Sequence, residues 1–155
     1  MTAIIQGPQI RQILLGTKVD RTTATIPQTA TQSIFAVSGG RILVTGLLGE
    51  VTTVIGGVAT TVTVVSTPST GTAVTLASAT AITSKEVGSQ ATLPLTSGSA
   101  LVVNNAGNGG QFPGHSPYVV GVGNIQITTS ASTTGAMKWT LTYVALDDNA
   151  TVAAA

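Results

Sequence analysis

The chain has 155 residues, six basic and five acidic side chains for a net charge of +1, a single histidine and no cysteine. That length suits one domain whose core needs no staples, the missing thiols exclude a disulfide framework or thiolate metal site, and basic residues standing singly make no stripe for a phosphate backbone, so nucleic acid is not an expected partner. Only 7% of residues are charged, against about 25% in an ordinary soluble domain, and none lies between Val51 and Ser84 or between Val87 and Met137; so little charge repulsion favours association.

The segment up to Gly16 is apolar but sits outside any strand rhythm. Gln9–Leu15 reads as a strand or a short helix, and residues 1–16 are assigned as an extended N-terminal arm that docks on a neighbour. Its candidate contact residues are Ile4, Ile5, Ile10, Ile13, Leu14 and Leu15. Residues 17–146 form the body. Thr and Val dominate it, both stiff at χ1 and suited to a pleated, half-buried surface. Short β-rich runs separated by turn residues predict an all-β, single-domain antiparallel β-sandwich or barrel.

Between Gly16 and Ser33 no strand is predicted. Ser33–Val37 and Arg41–Thr45 are predicted as a hairpin turning at Ser38-Gly39-Gly40. A second hairpin is predicted from Glu50–Ile55 through Gly56-Gly57 to Val58–Val65, since Gly-Gly readily takes the positive φ of a two-residue primed turn. Ser66–Gly71 reads as a turn and Thr72–Ala77 as the next strand. Ser84–Gly88 is either one helical turn capped by Ser84 or a tight polar loop. Further strands are predicted at Ala91–Leu95, Ala100–Val103, Tyr118–Val122, Ile125–Thr129 and Met137–Leu146. In the last, Met137, Trp139, Leu141 and Tyr143 alternate with Lys138, Thr140, Thr142 and Val144, which assigns the two rings to the core. Asn104–Pro117 is the longest break, and a loop of that length is functional or disordered in most compact domains. Residues 147–155 read as a frayed C-terminal tail.

A membrane-spanning helix is rejected, and a transmembrane barrel, whose signal is only weak alternation, is argued against. Mean hydropathy is +0.45, yet Thr, Ser or Gly interrupts every apolar run long before the roughly 18 residues a spanning helix needs. Aromatics at 3% are too few for the two girdles of a transmembrane barrel. The N-terminus lacks the basic region and long apolar centre of a signal peptide.

Chemistry is sparse. His115 sits in a Gly/Pro-rich loop with no nucleophile or carboxylate at triad spacing, and reads as a loop histidine. Asp147-Asp148-Asn149 lacks the EF-hand pattern and reads as a polar strand end. Glu50 and Glu86 stand alone, whereas a glycosidase needs a facing pair. Gly107-Asn108-Gly109-Gly110 matches neither phosphate-binding glycine motif. Asn149-Ala150-Thr151 fits a glycosylation sequon, which matters only in a secreted eukaryotic protein. Trp139 and Tyr143 would make a sugar-stacking platform if exposed. No catalytic residue, cofactor or metal is assigned.

Several motifs together carry a resemblance. They are Arg21–Ala30, Ile34-Phe35-Ala36-Val37, Gly39-Gly40-Arg41-Ile42, Gly49–Ile55 and Met137–Val152. These resemble a family of small tailed-bacteriophage virion proteins, covering about half the chain and weakest from Gly71 to Gly123. That family ends in a W-x-L-x-Y-x-P-L-D-D-G-A run; Ala145 and Asn149 depart from its Pro and Gly. The matching motifs are structural and transfer no active site. The resemblance implies a head-associated structural protein of the capsid decoration, or cement, type, bound to the exterior of the virion. Its expected partners are the major capsid protein and other copies of itself as a homotrimer, and it is not expected to be an enzyme. The alternative is a phage fibre, spike or carbohydrate-binding module, meeting a glycan through the 104–117 loop or exposed rings.

Overall fold

A computed structural model describes residues 6–107 and 118–155. Among these residues one helix, α1 (Gly7–Leu15), precedes eleven strands. These are β1 (Thr17–Thr25), β2 (Thr31–Ser38), β3 (Ile42–Thr53), β4 (Thr61–Pro68), β5 (Val74–Ala81), β6 (Gln90–Thr92), β7 (Val102–Asn104), β8 (Tyr118–Val120), β9 (Gly123–Thr129), β10 (Ala136–Ala145) and β11 (Thr151–Ala154). They build two antiparallel sheets. Sheet A runs β1-β10-β3-β6-β7, with β8 also paired to β3, and sheet B runs β11-β2-β9-β4-β5. The sheets pack face to face as an all-β sandwich, which decides between the sandwich and the barrel.

Alternation along each strand supplies the core. On β10 the predicted face of Met137, Trp139, Leu141 and Tyr143 is buried. From sheet B, Phe35, Val37, Val62, Val64, Ile125 and Ile127 point to the same core. Trp139 stands opposite Gly49 on β3. A Cβ at Gly49 would lie 2.7 Å from the indole ring, so the missing side chain is what seats the largest residue of the core.

Both predicted hairpins are corrected. β2 lies in sheet B and β3 in sheet A, so the chain crosses the sandwich at Gly39-Gly40. Gly39 has φ 74, and a Cβ there would lie 1.9 Å from the Asn149 carbonyl oxygen. This glycine serves a close approach between loops. At Gly56-Gly57 neither residue has a positive φ, so no primed turn forms. Ile55 plugs the end of the core at 1% exposure, its N–H donating to the Lys85 carbonyl. Gly56 N–H donates to Thr134, and the chain passes on to sheet B.

Residues 84–88 take the loop alternative: Ser84 has φ 53, which a helix cap cannot have. The frayed tail is also corrected. Thr151–Ala154 pairs with β2 from Ser38 to Phe35, and Ala150 is buried. The edge strand β1 was not foreseen. It pairs with β10, while its outer edge is guarded by Lys18 and by an irregularity between Arg21 and Ala24. Arg21 points inward, and its Nε donates at 2.7 Å to the main-chain oxygen of Ala155. That bond ties the end of sheet B to the edge of sheet A, and burial pushes the Arg21 pKa down.

Candidate docking surface

The N-terminal segment is a helix. Pro8 sits in its first turn, where its missing N–H costs nothing. Gln6 N–H donates to Gln9 Oε1 at 2.9 Å. Gly16 ends it at φ 81. A Cβ on Gly16 would lie 2.1 Å from the Tyr143 carbonyl oxygen, so the helix is joined to the sheet through a contact only glycine allows. The Thr45 hydroxyl donates to the Leu15 carbonyl and lies 2.9 Å from the Thr142 hydroxyl. The C-terminal end of α1 is thereby fixed over the outer face of sheet A.

No residue of α1 is buried. Ile10 is 47% exposed, and Ile13 and Leu14 are each 72% exposed; Leu15 is half-buried. Burial of an amphipathic face normally stabilises so short a helix, and here the apolar residues face away from their own domain. Of the predicted contact residues, the structure places Ile10, Ile13, Leu14 and Leu15 on this helix. Ile4 and Ile5 lie outside the described residues.

The sheet beside the helix continues the apolar surface. Leu43 on β3 stands opposite Val144 on β10 and Val119 on β8. Val119 and Val144 are exposed, so three neighbouring strands present one apolar row. Leu146, two residues beyond Val144, is exposed as well. This row was not predicted. Its signal was Val144, the one apolar residue on the Lys138-Thr140-Thr142 face.

The other half of this outer face is charged but internally neutral. Lys18 Nζ lies 2.7 Å from Asp20 Oδ2, and Lys138 Nζ lies 2.9 Å from Glu50 Oε2. Thr140 donates to Asp20 Oδ1 at 2.7 Å. The hydrogen bond from Lys18, helped by that from Thr140, holds the Asp20 carboxyl below its ordinary range against a smaller opposing effect of burial. Between helix and sheet lies a cleft of about 490 Å³ lined by Pro8, Arg11, Gln12, Leu15, Lys18 and Thr142. A surface that is apolar on one side and on the other carries the neutral pairs Lys18–Asp20 and Lys138–Glu50 strands little charge when buried.

The remaining candidates fall elsewhere. Trp139 and Tyr143 are 1% and 6% exposed, so neither ring is open for stacking on a sugar. Asp147 accepts three bonds from Arg41, through the main-chain N–H and a bidentate guanidinium. Glu50 is held by Lys138. Among the described residues no three His, Asp or Glu side chains gather into a metal site. His115, and residues 108–117 of the long loop, lie outside the described residues. Comparison with protein-family models, with curated proteins and with solved structures finds no match.

Proposed function

We propose that this chain is a virion structural protein without enzymatic activity, bound to the exterior of a tailed-phage capsid, where it bridges neighbouring capsid subunits. Its partners in this reading are the major capsid protein and other copies of itself, in a homotrimer. One observation carries the reading: an apolar helix, beside an apolar row on the sheet, is held at the surface with Ile10, Ile13 and Leu14 uncovered by the described residues. The resemblance of the flanking motifs to phage virion proteins supports it independently. The mechanism is burial of area. Apolar surface covered at the joint contributes about 25 cal/mol per Å², less the ordering and desolvation costs of association.

Deletion of residues 1–16 tests this. No side chain of the helix is fully buried, and only Leu15 is half-buried, so the truncated chain is expected to fold and to lose capsid binding. Full-strength binding by the truncated chain would remove the docking arm from the reading. The fibre or glycan-binding alternative has lost its ring platform to the core, and a glycan array with the full chain would address what is left of it in the long loop.

A further inference from the structure

The charges of this protein are sorted between its sheets. All those borne by strands lie on β1, β3 and β10 of sheet A, and the five strands of sheet B carry none. The outer face of sheet B consists of small uncharged residues in register. Thr31, Thr128 and Thr63 form one row across β2, β9 and β4. Ser33, Gln126 and Val65 form the next.

Several polar side chains of this face bond to one another. The Thr31 and Thr128 hydroxyls are 2.7 Å apart. Thr67 donates to Gln126 Oε1 at 2.7 Å, and Gln126 Nε2 donates to Ser33 Oγ at 3.2 Å. A molecule lying on this sheet would therefore meet methyl groups and hydroxyls, several of them already bonded, with no strand charge to desolvate.

We propose that the outer face of sheet B lines the rotation axis of a homo-oligomer, its occupant being other copies of this chain. Close to such an axis each residue lies beside its own copies, so any charge there would meet a like charge. A foreign partner is commonly chosen by complementary charge, and this face offers none; a copy of the same face needs none. Extent fits as well. Five strands at about 4.8 Å spacing and about seven residues at 3.4 Å project to roughly 600 Å² per copy. A stable interface takes about 600–1,000 Å² from each partner. Helix α1, nine residues long, projects to only about 140 Å². The inference rests on the proposed function only in taking copies to associate, and assigns the surface between them.

The test is sedimentation equilibrium on the full chain, with no capsid present. Wild type is expected to be oligomeric, with a dissociation constant that moves less than about threefold between low and high salt, because no charges meet. Thr63→Lys is expected to weaken association at least about a hundredfold. Thr22→Lys, on the exposed edge strand of sheet A, is expected to associate as wild type does. Thermal melts show whether each variant is folded, and the salt series on wild type stands even if Thr63→Lys unfolds. A monomeric wild type, a steep salt dependence, or unchanged association of folded Thr63→Lys would overturn the inference. An oligomer that fails to bind capsids would leave it intact and remove the capsid reading; a capsid-binding monomer would do the reverse.

Discussion

Replacing Ile13 and Leu14 together by serine separates docking from folding. Both side chains are 72% exposed in the free chain. Their loss should therefore cost the domain no more than about 0.5 kcal/mol each, the range of ordinary surface changes. Docking would cover what is now open. Full burial of such a side chain contributes about 1.5–3 kcal/mol, so covering the exposed 72% would recover about 1–2 kcal/mol each. The pair then represents about 2–4 kcal/mol, or roughly 30- to 1,000-fold in the dissociation constant per copy. The assay is co-sedimentation with capsids prepared without this chain, alongside thermal unfolding of the free protein. Expected is a loss of binding in that range with an unchanged melting temperature. Equal binding would refute the docking role. A large fall in melting temperature would refute the premise that the helix is dispensable to the fold.

Gly49→Ala should destabilise the domain by about 1–3 kcal/mol through overpacking, since its Cβ would lie 2.7 Å from the Trp139 ring; an unchanged urea midpoint would contradict this packing. Removing residues 151–155 takes away β11 and the Ala155 oxygen that Arg21 uses, and should cost more than about 2 kcal/mol given several lost hydrogen bonds, whereas a frayed tail would cost nothing. Arg41, by its side-chain and backbone hydrogen bonds, lowers the Asp147 carboxyl from 3.8 to about 2. A depressed carboxyl stabilises the fold fully above its unfolded value and loses that contribution as pH falls through the folded one. The melting-temperature gap between wild type and Asp147→Asn should therefore hold at neutral pH and close between about pH 4 and 2; a gap that persists below pH 2 would contradict the pairing.

The parts of this fold that could be read from sequence are those where local pattern and tertiary burial coincide. On β10, alternation from Met137 to Tyr143 puts the odd positions in the core; on the other face Thr142 is also buried, and Val144 is apolar where its neighbours are polar. Val144 marks the exposed apolar row, but the row exists only because Leu43 and Val119 arrive beside it from other strands. The Gly-Gly turns were misread because a glycine pair allows many geometries. Nothing within Gly39-Gly40 or Gly56-Gly57 says which sheet the next strand will join. β1 and β11 escaped for opposite reasons. The first carries three charges on nine residues and looks like a loop, while the second is Thr-Val-Ala-Ala and has almost no pattern. Both are strands because a partner's backbone is there to pair with. The arm was read as apolar and separate; its helical form depends on Gly16 and Thr45 fixing its far end.

The order of the strands has a kinetic consequence. β1 pairs with β10, β2 lies between β9 and β11, and β3 lies against β10. The earliest strands thus have the latest as neighbours, and neither sheet can close while the chain is still emerging. Folding dominated by such distant pairings is slow and leaves strand edges open meanwhile. With only 7% of residues charged, little repulsion keeps such open edges of neighbouring chains apart. The compensation is a check on completeness: a chain stopped short of β10 leaves β1 and β3 without the strand that joins them, so sheet A forms only after residue 145 has been made.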